Sequence, residues 1–119
     1  MKDYKLLNEL AKQGGTVIFG GEEDLNIPLC ELKQAFSLKE NYYNRSAENI
    51  SISNATDIYA LNIADLNPET ILLHIGDADI EMLLKSTEEF SGNYRRLISR
   101  IRKDNKKCRI AIVSFKNFN

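Results

Sequence analysis

A single histidine, His74, is all that this chain of 119 residues brings to acid–base chemistry near neutral pH. Two cysteines, Cys30 and Cys108, are too few for a disulfide framework or a thiolate metal cluster, and both are expected to be inert thiols. No run of about 18 apolar residues occurs, which excludes a membrane-spanning helix. The N-terminal stretch MKDYKLLNELAKQ is amphipathic and mixed in charge. A secretory leader would instead show a basic segment followed by an apolar one, so the expected setting is the cytoplasm.

What remains is ordinary material for one globular domain spanning residues 1–119, with 43% hydrophobic and 28% charged residues. The net charge is −1, but it is unevenly spread. Residues 1–94 carry 7 Lys/Arg against 16 Asp/Glu, while residues 95–119 carry 9 against 1. Half of the basic residues lie between Arg95 and Arg109. The simplest reading is a helix with a solvated basic face and a favourable charge at its C-terminal end. Tyr94 is the only aromatic residue at that stretch and belongs to an apolar stripe, so nucleic-acid binding is not expected.

Periodicity sets out the elements. Leu6, Leu7, Leu10 and Ala11 share a helical face over Lys5 to Gln13, with Asp3 as cap and Gly14-Gly15 as stop. Thr16 to Phe19 is a β-branched and aromatic strand that runs into the turn Gly20-Gly21-Glu22-Glu23-Asp24. Pro28 suits a first helical position, with Leu29, Leu32 and Phe36 following at helical spacing. Tyr42-Tyr43 is a second strand. A helix is expected from near Ser53 to just before Pro68, and Ile71 to Ile75 forms a third strand. Ser86 and Glu89 have capping-box spacing ahead of the stripe Phe90, Tyr94, Leu97, Ile98 and Ile101. Ile110 to Val113, extended to Phe115, is the fourth strand. Strands alternate with helices, and two strands are continuously apolar, as in a parallel sheet buried on both faces. The fold class is therefore α/β, a three-layer α/β/α sandwich on a flavodoxin-like parallel sheet of order 2-1-3-4.

In such sheets ligands bind beyond the C-terminal ends of the strands. Three turns converge there: Gly20 to Asp24, Asn44 to Asn49, and Gly76 to Asp79. The segments VIFGG, YYNRS, NPETILLHIGDAD, and YRRLISRIR followed by CRIAIVS resemble, in order and spacing, the SGNH/GDSL hydrolase family of serine esterases and acyl-hydrolases. The likeness runs from Thr16 to Phe115. In that family a Gly-Asp-Ser or Gly-Gly-Ser turn carries the nucleophile. Asn-x-Gly-x-x-Gly supplies an oxyanion glycine, Gly-x-Asn-Asp an oxyanion asparagine, and a late Asp-x-x-His completes the site.

Carried over position by position, the reacting groups are replaced. The nucleophile falls on Glu22, where a carboxylate would repel a developing oxyanion. The oxyanion glycine falls on Asn49, whose backbone N–H still donates. The oxyanion asparagine falls on Ala78, removing a donor worth roughly 10²–10³ in rate in a comparable site. The Asp-x-x-His block would lie beyond Asn119. The resemblance therefore implies an SGNH-like domain without the family's hydrolysis, one that binds or assembles and needs no cofactor. Its expected crevice residues are Glu22, Glu23, Asn44, Arg45, Ser46, Asn49, Asp77 and Asp79. A small-molecule ligand suits that crevice. His74 is expected to be a hydrogen-bonded core residue.

Two other readings use the same residues. Glu22 with Asp77 and Asp79 resembles the acidic pattern of Toprim domains, which implies Mg²⁺-dependent phosphoryl chemistry. The downstream glycine of that pattern is missing. Ser46 at a strand end offers a non-standard esterase nucleophile, but no base accompanies it. The uncovered fourth strand and the split charge together predict self-association through a sheet edge, a swapped element or a helix face.

Overall fold

The computed structural model describes residues 4–21, 24–25, 41–75 and 79–112; the side chains of Lys5, Ile80 and Leu83 fall outside that description. Its elements are α1 (Tyr4–Leu10), β1 (Thr16–Gly20), β2 (Tyr42–Asn44), α2 (Ala55–Asn62), β3 (Thr70–His74), α3 (Ile80–Lys85), α4 (Thr87–Asp104) and β4 (Arg109–Ile112). All pairings are parallel and the order is β2-β1-β3-β4, as the alternation of strands and helices predicts. The helix predicted after Pro28 lies outside the described residues, as do Cys30 and the extension of β4 past Ile112.

The sheet begins at a fastened turn. Gly14 and Gly15 have φ of 87° and 78°, in the region that side chains resist. A Cβ on Gly15 would also stand 2.6 Å from the Asn41 carbonyl. From that turn Thr16 N donates to Asn41 O, and Glu69 N donates to Gly15 O. The starts of β1, β2 and β3 are thereby set level.

Val17 and Phe19 of β1 and Ile71 and Leu73 of β3 are fully buried. Against them pack Ile52, Ala55, Tyr59, Ile63 and Leu66 from the α2 region and Phe90, Leu97 and Ile101 from α4. At the start of α4 the Ser86 hydroxyl accepts from Glu89 N, as the capping-box spacing predicts. Tyr94 donates its hydroxyl to Ile75 O at 2.6 Å, tying α4 to the end of β3. Arg100 pairs with Asp104, Arg96 donates to Ser53 O, and Arg102 donates to the Cys108 carbonyl. These are contacts of a helix face and helix terminus, the simple reading of the basic stretch.

Three expectations change. The helix read as continuous to Pro68 ends at Asn62; a 3₁₀ turn, Ala64–Leu66, follows, and Asn67 at φ 47° stops it. The six-residue helix α3 precedes the capping box and has no stripe long enough to announce it. Helix α1 is turned over: Tyr4 and Asn8 face inward, while Leu6, Leu7 and Leu10 are exposed. The reason lies in Arg45, described below.

Candidate functional site

The parallel register pairs Gly20 with His74 and Ile18 with Asn44, which brings the C-terminal ends of β1, β2 and β3 to one rim. After Gly20 the chain turns tightly, Asp24 N donating to Gly21 O at 3.0 Å. The Asp24 carboxylate folds back over Gly20 so closely that a methyl group on that glycine would overlap it. This contact is what glycine is needed for at position 20. There the carboxylate meets His74: Nδ1 lies 2.9 Å from Oδ2 and 3.2 Å from Oδ1. An ionised carboxylate only accepts, so Nδ1 carries the proton and donates. In the neutral ring Nε2 is then the basic nitrogen. Both side chains are mostly enclosed, at 16% and 12% exposure for His74 and Asp24.

The second turn is laced to the first. Asn44 Nδ2 donates to Asp24 O at 2.6 Å and more weakly to Leu25 O at 3.4 Å, and its Oδ1 accepts from Ser46 N. Ser46 is fully buried; its hydroxyl accepts from Gly20 N at 3.0 Å and its carbonyl accepts from the Tyr4 hydroxyl. Ser46 therefore clamps two turns together, with no exposed surface through which a substrate could reach its oxygen.

Arg45, also buried, turns toward α1. Its Nε donates to Asn8 Oδ1, and its guanidinium carbon sits 5.0 Å from the centre of the Tyr4 ring and 5.3 Å from that of Tyr43. Burial lowers the Arg45 pKa, and the two tyrosines oppose that shift. Burial raises the pKa of Tyr4, against the pull of Arg45.

Asn49 has φ of 55°, the left-handed region that favours glycine and that asparagine tolerates. This is the position at which the family resemblance places a glycine. The Asn49 carbonyl accepts from Asn54 Nδ2. Asp79, 6% exposed, accepts from Ile52 N at 2.7 Å and so ties the start of α3 to the approach to α2. Glu22, Glu23 and Asp77 lie outside the described residues. Among the described residues no three His, Cys, Asp or Glu side chains gather as a metal would require.

The structure thus joins Asn44, Ser46 and Asp24 in one hydrogen-bonded rim, sends Arg45 to α1 and sets Asp79 against Ile52. The pairing absent from the sequence reading is Asp24 with His74. Its signal was the register: once Gly20 and His74 are neighbours, an acid in the turn after Gly20 falls within reach of the imidazole. At the opposite end of the sheet, Lys107, Arg109, Glu69 and Asn67 line a polar cavity of about 610 Å³.

No family model and no curated protein matches the sequence. Solved structures do. Over 92% of its length the chain superposes, with a TM-score of 0.74 and 18% identity, on a Streptococcus pneumonia protein assigned as a platelet activating factor. Over 85% it superposes, with a TM-score of 0.63 and 15% identity, on a Parabacteroides merdae protein assigned as a GDSL-like lipase. It spans 50% and 59% of those chains, about half their length. The fold is the SGNH/GDSL-like fold that the sequence resemblance implies.

Proposed function

We propose that this chain is an SGNH-like domain that binds a small polar ligand, or assembles with other chains, without hydrolysing an ester. One observation carries the reading. Ser46, the serine at the sheet's end, is sealed and spends its hydroxyl on Gly20 N. The resemblance gives the nucleophile's place to Glu22, and a carboxylate there disfavours an oxyanion. A cytoplasmic setting belongs to the same proposal, supported by the free, buried thiol of Cys108. The test is a screen with short acyl nitrophenyl esters, in which the rate is expected to stay at background. Turnover that disappears in Ser46→Ala would overturn the proposal.

The Asp24–His74 pair favours a second reading, an esterase with a non-standard nucleophile. A carboxylate that orients an imidazole is the arrangement of a general base, which here would activate water. Hydrolysis lost in both Asp24→Asn and His74→Gln, and kept in Ser46→Ala, would select it. The Mg²⁺-dependent alternative rests on Glu22, Asp77 and Asp79, of which Asp79 commits an oxygen to Ile52 N. Calorimetry with millimolar Mg²⁺ or Mn²⁺ tests it, and absence of heat removes it.

A further inference from the structure

We infer that the polar cavity at the N-terminal end of the sheet is a binding site for a small acidic amino acid, a molecule with one ammonium group and two carboxylates. It lies at the opposite end of the strands from the crevice, so it stands whether or not the proposed function holds there.

The frame of the cavity is braced by backbone. Gly14 N donates to Leu66 O, Glu69 N to Gly15 O and Arg109 N to Glu69 O. Asn105 adds a fourth tie, donating from Nδ2 to Pro68 O at 2.9 Å and accepting from Lys107 N. On that frame stand groups with nothing to bind. Among the described residues, the side chains of Glu69, Thr70, Lys107 and Arg109 make no hydrogen bond or ion pair. The cavity, about 610 Å³, falls within the roughly 300–1,000 Å³ of small-molecule sites. Its lining is polar, and an apolar occupant would strand those groups.

The charges are divided between two walls. Glu69 turns its carboxylate over Gly14, Oε1 lying 3.5 Å from where a Cβ of that glycine would stand. That is the β1 side. Lys107 and Arg109 belong to the start of β4, on the far side of β3. At the rim, exposed Lys12 and Asp65 on the β1 side carry opposite signs. On the β4 side exposed Lys106 and Arg102 add to the positive wall, while Asp104 is held by Arg100 and Tyr59. A simple anion on the two cations would leave Glu69 opposing it, and a simple cation on Glu69 would meet the reverse fault. Two carboxylates for Lys107 and Arg109, with an ammonium group for Glu69, answer all three charges. The three side chains are open to solvent, so binding is weak and sensitive to salt.

The test is a titration of the isotope-labelled chain with L-glutamate, followed by amide chemical shifts at low ionic strength, with sodium chloride as the control for screening. Saturating shifts are expected at Gly14, Glu69, Lys107 and Arg109, and none at Asp24 or His74. Glutarate, which lacks the ammonium group, is expected to bind about fivefold more weakly, the scale of one exposed ion pair. Glu69→Gln should abolish that preference, and Arg109→Ala should weaken glutamate by about the same factor. Lys103→Ala, an exposed cation outside the cavity, is expected to leave glutamate binding intact. Shifts that sodium chloride reproduces, or equal binding of glutarate and glutamate by the unaltered chain, would overturn the inference. Saturation at Asp24 and His74 instead would assign the ligand to the crevice and overturn it as well.

Discussion

The Nε of Arg45 donates to the side-chain carbonyl of Asn8 at 2.8 Å, across 37 positions of sequence. A buried guanidinium needs acceptors, and in place of a carboxylate it has an amide oxygen, the Asn44 carbonyl and two tyrosine ring faces. Asn8→Leu makes α1 more apolar on its inward face and would be favourable if the helix docked by hydrophobicity. It is expected instead to destabilise the fold by about 1–3 kcal/mol, since it strands a charged donor. Urea denaturation with an unchanged slope would show the loss as a shift in midpoint.

The crowding of Gly20 by Asp24 gives a second test. Gly20→Ala should destabilise the chain by about 1–3 kcal/mol, because the new methyl needs the volume of the carboxylate. If that overlap is the cause, Gly20→Ala in an Asp24→Ala background should cost clearly less. The two changes would then be non-additive by at least about 0.5 kcal/mol in a double-mutant cycle. Additive losses would place the strain elsewhere.

How far the sequence was legible follows from the same contacts. β1, β3 and the strand order could be read because Val17, Phe19, Ile71 and Leu73 are an apolar run in the sequence and a buried one in the fold. Helix α4 could be read because its cap and its stripe are local. The orientation of α1 could not, since periodicity shows that the leucines share a face and says nothing of which face Arg45 claims. Nor could the Asp24–His74 pair, which exists only once the register sets Gly20 beside His74. Asn49 was legible as a replaced glycine, but its positive φ shows why asparagine is tolerated there.

Cys108 is 1% exposed, and burial raises its thiol pKa against the opposing charge of Arg102. Thiolate is the reactive form, so the raised pKa and the lack of exposure both slow its chemistry. In a Cys30→Ser background the remaining thiol is expected to react with an aromatic disulfide reagent only as fast as the chain opens. The rate should become independent of reagent concentration at high reagent and rise with sub-denaturing urea. Prompt stoichiometric reaction of the native chain would mean that the β4 end of the sheet is open.

Tyr59 joins α2 to the end of α4, donating its hydroxyl to Asp104 Oδ2 at 2.9 Å. Burial first, then this hydrogen bond and the charge of Asp104, raise its pKa well above the ordinary tyrosine value; Tyr4 is raised by burial as well. The sign of the consequence is fixed by linkage. Above about pH 10 the unfolded chain releases these protons while the folded chain keeps them, so alkali favours unfolding. Stability should hold below that value and then fall, each tyrosine contributing up to about 1.4 kcal/mol per pH unit. Tyr59→Phe lacks the bond to Asp104 and should be less stable at pH 7, yet its decline above pH 10 should be shallower, with Tyr4 accounting for part of what remains. Denaturant unfolding of both chains from pH 8 to 11 separates the two effects, because loss of a hydrogen bond shifts the whole curve while loss of a titrating group changes its slope. Parallel curves would mean that Tyr59 ionises as readily in the folded chain as in the unfolded one.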